Sequence, residues 1–110
     1  MKIYIAGAIK NNPDYQQQFA EAERLLSEDG HVVINPAKNP GSSYKEYIDI
    51  GLFELMRCEA ICLLPGWENS AGANLDRHYA EVAGLKLLFF REEKRTLEQS
   101  HPDRQIGCCS

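Results

Sequence analysis

The chain has 110 residues, a usual length for a single folded domain, and 44% of them are hydrophobic, which is enough for a buried core. Its net charge of -4 argues against a surface that binds duplex nucleic acid. No apolar run reaches about 18 residues, so no membrane span is predicted, and the N-terminal apolar stretch is too short for a signal peptide.

Hydrophobic periodicity and turn residues predict strands and helices in alternation. In chain order we expect a strand at residues 2–6, a helix at 13–28, a strand at 31–34, a helix at 44–57, a strand at 60–64, a helix at 70–83 and a strand at 85–90. The inner face of the first helix is predicted at Phe19, Ala22, Leu25 and Leu26. From Arg91 onward the chain becomes charged, and we expect one short helix there before a loose tail.

This alternation predicts right-handed crossovers and a parallel sheet of four or five strands, covered by helices on both faces. In such α/β folds, ligands bind beyond the carboxyl ends of the strands. Three loops rich in glycine, proline, asparagine or serine lie at that edge, at residues 7–14, 35–43 and 65–70. The sequence therefore predicts a ligand site formed by these loops.

One acidic residue of the third helix is a candidate site residue. Asp76 shares a helical stripe with three alanines, so the stripe is predicted to face the interior. These are Ala73, Ala80 and Ala83. An interior carboxylate is costly unless it is paired or used in a site. Ser70 and Gly84 are predicted to cap this helix at its start and its end.

The four cysteines predict reduced thiols rather than a metal site. Cys58 and Cys62 lie at a helix end and on the next strand, while Cys108 and Cys109 are adjacent near the C-terminus. Neither arrangement matches the ligand spacing of a zinc site. Because reduced thiols are typical of the cytoplasm, we predict a cytoplasmic protein. We also predict that it binds no metal and no cofactor.

Three segments resemble the nucleoside 2-deoxyribosyltransferase superfamily, and most closely its small, largely uncharacterised branch with a Leu-Pro-Gly-Trp signature. They are KIYIAG at residues 2–7, GHVVINP at 30–36 and LPGWENSAGA at 64–73. The resemblance spans about residues 1–90, and the Pro-Gly-Trp segment is its most specific part. It implies a flavodoxin-like three-layer fold, a dimer or higher oligomer, and cleavage or exchange of the N-glycosidic bond in 2'-deoxynucleosides or their 5'-monophosphates.

The resemblance also implies roles for particular residues. The family's nucleophile lies four residues after the glycine of the Gly-Ala pair, which is Asp76 here. Such a carboxylate attacks C1' of the sugar or stabilises an oxocarbenium-like transition state. The family's phosphate-binding serine lies six residues before the nucleophile, at Ser70, where the N–H groups of Ala71 and Gly72 would also meet a phosphate.

Two further residues are predicted in the pocket wall. Gly7 begins the loop after the first strand, and a glycine there lets a ligand approach the backbone closely. Trp67, the one tryptophan of the chain, is predicted to be a platform for a nucleobase, with core packing as the alternative.

Two positions depart from the family's pattern. Asp76 stands where the family has glutamate, and the missing methylene withdraws the carboxylate by about 1 to 1.5 Å, a shift that can lower a rate about 100-fold. Gly51 stands where the family has an aspartate on the preceding helix, and Asp49 lies about 200° around that helix. Three interpretations therefore stay open: an enzyme, a non-catalytic nucleotide-binding module with degenerate carboxylates, and an interaction domain with a vestigial pocket.

The sequence predicts one nucleoside 2-deoxyribosyltransferase-like domain at residues 1–90 and a partly loose C-terminal extension at residues 91–110. The expected ligand is a small nucleoside or nucleotide, not a nucleic acid polymer or a membrane. A homodimer is expected, because the helix at residues 44–57 carries apolar or aromatic side chains around much of its circumference.

Overall fold

The computed structural model describes residues 1–38, 51–91 and 96–99. These residues include a five-stranded sheet. The strands are β1 (Lys2–Ala6), β2 (Val32–Ile34), β3 (Ala60–Leu63), β4 (Lys86–Arg91) and β5 (Thr96–Gln99). Their order across the sheet is β2-β1-β3-β4-β5. The first four strands are mutually parallel, and β5 pairs antiparallel with β4.

Three α-helical segments accompany this sheet in the described part of the chain. They are α1 (Tyr15–Glu28), α2 (residues 51–55) and α3 (Ala71–Ala83), with short 3-10 turns at Pro36–Lys38 and Trp67–Asn69. No helix within the described ranges is long and apolar enough to cross a bilayer.

The two faces of the sheet carry separate hydrophobic clusters because side chains alternate along each strand. On β1, Ile3 and Ile5 pack with Phe19 of α1 on one face. Tyr4 and Ala6 point to the opposite face, where Leu55 of α2 and residues of α3 cover the sheet. The result is a three-layer α/β arrangement, and the predicted flavodoxin-like fold is confirmed.

Most of the predictions for the inner face of α1 and for the ends of α3 are confirmed. The four residues predicted for the inner face of α1 are buried, and α3 begins after Ser70 and ends at Gly84, whose positive φ of 81° suits a glycine cap. Ala73 and Ala80 are buried on α3, whereas Ala83 in the last turn is exposed, contrary to expectation. The predicted inward stripe therefore ends one turn before the helix does.

The C-terminal segment requires a correction. Thr96–Gln99 forms a strand and not the short helix expected after Arg91, so the sheet continues past residue 90. Pairing with β4 satisfies backbone groups that an open sheet edge would leave unpaired, a gain that the charged composition does not reveal. Several predictions concern residues outside the described ranges. They are the predictions for residues 92–95 and 100–110 of the partly loose extension, which include Cys108 and Cys109, for residues 39–43 of the second loop and for residues 44–50 of the second helix.

Candidate active site

A cavity of about 270 Å³ lies where β1 ends and α3 begins. Its volume is close to the lower limit of small-molecule sites, which is about 300 Å³. The wall includes Tyr4, Gly7, Lys10, Asn11, Gly51, Asn69, Ser70, Gly72 and Asp76. The cavity therefore occupies the edge of the sheet at which parallel topology predicts a ligand site.

Four of the five predicted site residues line this cavity: Gly7, Ser70, Gly72 and Asp76. Gly7 comes from the end of β1, and the other three come from the first turns of α3 and its cap. Residues more than 60 positions apart in the chain are thus brought together because β1 and β3 are neighbours in the sheet.

The start of α3 is held by side-chain hydrogen bonds. The Ser70 hydroxyl accepts a hydrogen bond from the backbone N–H of Ala73 at 3.1 Å, as an N-cap residue does. The Asn74 amide donates to the carbonyl oxygens of Ser70 at 2.8 Å and Glu68 at 3.0 Å. These bonds fix the turn before the helix, so the cap and the cavity wall share the same residues.

Replacing Ser70 with alanine is therefore expected to lower the free energy of unfolding by about 1 kcal/mol, through loss of the cap. Urea unfolding followed by circular dichroism measures this change. The matched control is Ser27→Ala on α1, since Ser27 is exposed inside a helix and has no capping role. Equal effects of the two substitutions would contradict the capping role of Ser70.

Asp76 is a partly buried carboxyl group on α3. Burial raises its pKa from 3.8 to about 7, because removal from water disfavours the charged form. Within the described part of the chain, no residue donates a hydrogen bond to this carboxyl or forms an ion pair with it. A desolvated carboxyl that lines a cavity is typical of functional sites.

Tyr4 of β1 and Gly51 of α2 lie close together in the cavity wall. A Cβ atom on Gly51 would lie 2.6 Å from the Tyr4 hydroxyl oxygen, and the next nearest atom would be Tyr4 Cζ at 3.7 Å. The phenol thus occupies the space that a side chain at position 51 would need. Sequence reasoning missed Tyr4, because a tyrosine on an alternating strand is indistinguishable from a core residue.

Gly7 lines the cavity, but its missing side chain is explained by packing. A Cβ atom there would lie 3.2 Å from Cβ of Leu64 and 3.3 Å from the ring of Phe19. Glycine at this position therefore lets α1 pack closely on the end of β1, and the close approach of a ligand to Gly7 stays a prediction.

Trp67 does not line the cavity, which corrects the prediction of a nucleobase platform in its wall. Its ring lies 6.3 Å from the ring of Phe89 on β4, and the guanidinium of Arg77 lies 5.6 Å from the indole centroid. Gly66, with a φ of 91°, precedes the 3-10 turn that starts at Trp67. The turn directs the indole onto the hydrophobic cluster under α3, so the alternative of core packing describes Trp67.

The loop after β1 contributes polar residues that the sequence analysis did not single out. Lys10 and Asn11 line the cavity, and Asn11 has a φ of 63°, which asparagine tolerates better than most residues. The Asn12 amide donates hydrogen bonds to the carbonyl oxygen of Ala8 at 2.8 Å and to the Gln18 side chain at 3.1 Å. The loop is thereby tied to α1.

Comparison with known protein families shows the family of this chain. Residues 1–89 match the family described as "Domain of unknown function (DUF4406)". The chain belongs to this family. No curated protein matches the DUF4406 chain.

Three of the solved structures that are similar to this DUF4406 protein are named as deoxyribosyltransferases or as a CMP N-glycosidase. A 2-deoxyribosyltransferase from Bacillus psychrosaccharolyticus has a TM-score of 0.66 and 18% identity, covering 82% of this chain and 72% of that chain. A CMP N-glycosidase from Clostridium botulinum has a TM-score of 0.61 and 17% identity, covering 82% and 71%. A 2-desoxiribosyltransferase from Leishmania mexicana has a TM-score of 0.65 and 23% identity, covering 81% and 63%. At these identities the similarity shows a shared fold.

Proposed function

We propose that this DUF4406 protein cleaves the N-glycosidic bond of a nucleoside or nucleotide, or transfers its deoxyribosyl group to another base. The observation that carries the proposal is the desolvated Asp76 carboxyl in the cavity at the start of α3. It occupies the position that the family resemblance gives to the nucleophile. The fold shared with two deoxyribosyltransferases and a CMP N-glycosidase supports the substrate class.

In this mechanism the ionised Asp76 lies against one face of the sugar. It attacks C1' or stabilises the cationic transition state as the bond to the base breaks. Because Asp76 is largely removed from water, its charge is screened less than at the surface, which strengthens its interaction with the developing cation.

The first turn of α3 is proposed to hold the sugar hydroxyl groups or a 5'-phosphate. Ser70 offers a hydroxyl group, and the N–H groups of Ala71 and Gly72 lie at the positive end of the helix dipole. Gly7 forms the facing wall. The site as proposed uses no cofactor.

The test is a screen of nucleosides, deoxynucleosides and their 5'-monophosphates, with the released base measured by chromatography. We expect release from at least one deoxynucleoside or deoxynucleotide. The same screen with a second base added separates transfer from hydrolysis, since transfer yields a new nucleoside. Absence of release or exchange with every substrate would refute an enzymatic role.

A non-catalytic nucleotide-binding module is the second candidate. Two observations favour it. The Tyr4 hydroxyl group fills the space that a carboxylate side chain at position 51 would need, and the side chain of Asp76 is shorter than the family's glutamate. Titration calorimetry with the same compounds distinguishes the two, because tight binding without base release selects the binding module. No binding of any compound selects the third possibility, an interaction domain.

We also propose that the protein is a cytoplasmic homodimer. The buried free thiols of Cys58 and Cys62 suit a reducing compartment. Phe53 and Met56, in and just after α2, are 58% and 62% exposed, and a partner subunit would cover them.

Light scattering at micromolar concentration is expected to give twice the chain mass, and Phe53→Glu is expected to give the monomer mass. The matched control is Val32→Glu, since Val32 is 61% exposed on the edge strand β2. A monomer mass for the unaltered chain would contradict the dimer.

A further inference from the structure

Two segments of the cavity wall belong to loops that lead to opposite faces of the sheet. Residues 9–11 follow β1 and precede α1, whose Phe19 packs on one face. Residues 69–73 follow β3 and include the first turn of α3, whose Ala73 packs on the other face. Because each helix packs on its own face, this packing alone does not fix the separation of the two wall segments.

Two side-chain amides connect these loops outside the cavity wall. The Gln18 amide of α1 donates a hydrogen bond to the carbonyl oxygen of Pro65, in the turn after β3, at 3.1 Å. The Gln18 oxygen accepts a hydrogen bond from the Asn12 amide at 3.1 Å. Asn12 also donates to the carbonyl oxygen of Ala8 at 2.8 Å. We call Asn12 and Gln18 the amide bridge.

The carbonyl groups at the two ends of the amide bridge fix the direction of its hydrogen bonds. A carbonyl oxygen can only accept, so Asn12 and Gln18 must each present an NH2 group to one end. The Gln18 oxygen is then left to accept from the second N–H of Asn12. The Asn12 oxygen accepts from the backbone N–H of Asp14 at 3.3 Å. The bridge therefore has one consistent set of donors and acceptors.

Each end of the amide bridge acts on residues of the cavity wall. The hydrogen bond from Asn12 to Ala8 closes the loop around residues 9–11. At the other end, Pro65 lies five residues before Ser70, and the Asn74 amide of α3 holds the Ser70 carbonyl oxygen at 2.8 Å. The turn after β3 is thus bound to α1 by Gln18 and to α3 by Asn74.

We infer that Gln18 is a positioning residue, whose hydrogen bonds to Asn12 and Pro65 set the separation of the two wall segments. The catalytic consequence rests on the proposed function. A sugar held between these segments keeps its C1' atom at a fixed distance from Asp76 only if their separation is constant. A displacement of about 1 Å can lower a rate about 100-fold.

The test uses two substitutions of Gln18. Gln18→Met removes both hydrogen bonds, whereas Gln18→Glu keeps an acceptor for Asn12 but, when ionised, cannot donate to Pro65. Because water can replace the donor at this exposed bond, each variant is expected to lower kcat/KM for the best substrate of the screen about tenfold. Part of the loss is expected as a higher KM, since the substrate contacts both wall segments. A smaller folded fraction would lower kcat alone.

Trp67 provides a second readout that requires no substrate. It is the one tryptophan of the chain and lies two residues after Pro65, so its fluorescence reports on the turn after β3. Both Gln18 variants are expected to raise the rate constant for quenching of Trp67 by acrylamide, because the turn opens more often without its hydrogen bond to α1.

Two exposed residues of α1 provide matched controls. Gln17→Met makes the same chemical change one position away, and Ala20→Gly weakens the helix without removing a hydrogen bond of the amide bridge. Both are expected to leave kcat/KM and the quenching of Trp67 unchanged.

Equal effects of Ala20→Gly and Gln18→Met would overturn the inference in favour of a general loss of stability. Unchanged quenching of Trp67 in both Gln18 variants would also overturn it. If the unaltered protein releases no base, the proposed function fails and the catalytic part of this inference fails with it, while the quenching experiment still tests the amide bridge. An active protein whose Gln18 variants are fully active refutes the inference alone.

Discussion

Replacing Asp76 with asparagine is expected to reduce base release by about 1,000-fold or more, since it removes the attacking oxygen and its charge with almost no change of shape. Base release by the unaltered protein is expected to rise with pH up to about 7, because burial raises the pKa of Asp76 to about 7 and only the ionised form acts. Measurement of initial rates from pH 5 to pH 9 checks both expectations. The matched control is Asp14→Asn, an exposed carboxylate before α1.

The same substitution is expected to stabilise the fold above pH 7. The pKa of Asp76 is higher in the folded chain than its ordinary value of 3.8, so the folded state retains a proton that the unfolded state has lost. The associated stability is fully present below about pH 4 and is lost as the pH rises through 7. Asparagine has no charge to desolvate, so Asp76→Asn gains on the order of 2 kcal/mol at pH 8, after an allowance for partial exposure, and nothing at pH 4.

Urea unfolding at pH 4 and pH 8 measures this gain. Asp14→Asn is expected to have no comparable effect at either pH, because Asp14 is exposed. A variant that kept full activity would remove Asp76 from the mechanism. A variant that gained no stability at pH 8 would show that the carboxyl is not desolvated in the folded state.

Gly51→Ala is expected to lower the free energy of unfolding by about 2 kcal/mol, because the new methyl group collides with the Tyr4 hydroxyl group in a closely packed wall. In a Tyr4→Phe background the hydroxyl group is gone, and the nearest atom lies at an ordinary contact distance of 3.7 Å. The cost is then expected to disappear, and alanine gains up to about 1 kcal/mol over glycine in a helix. A double-mutant cycle by urea unfolding measures the difference.

Gly7→Ala provides the control for this cycle. Its clash is with Leu64 and Phe19, on the other side of β1, so Tyr4→Phe is expected to leave its cost unchanged. Additive effects of Gly51→Ala and Tyr4→Phe would contradict the contact between position 51 and the phenol. The cycle requires no substrate, so it tests the geometry of the wall independently of the reaction.

Much of the fold could be predicted because it depends on neighbours in the sequence. The helical period places Phe19, Ala22, Leu25 and Leu26 on one face, and a serine or glycine at a helix end acts on backbone groups within four residues. Parallel topology then places Gly7, Ser70 and Asp76 at one edge of the sheet, whatever the details of packing.

Contacts between distant residues could not be predicted in this way. The indole of Trp67 faces Phe89 on β4 instead of the cavity, and the charged segment after Arg91 pairs with the sheet edge as β5. The side chain of a turn residue can point in several directions. The unpaired backbone groups at a sheet edge can form hydrogen bonds with many different segments. Neither choice is encoded in local periodicity.

The sequence by itself determined the alternating α/β architecture, the caps of α3 and the edge of the sheet at which the cavity lies, because each follows from period, turn chemistry and strand direction. Only the tertiary structure decided that Tyr4 and Gly51 meet, 47 positions apart, and that the pKa of Asp76 is raised. The physical reason is that close contact and desolvation depend on which distant residues surround a group, and packing in three dimensions alone specifies that.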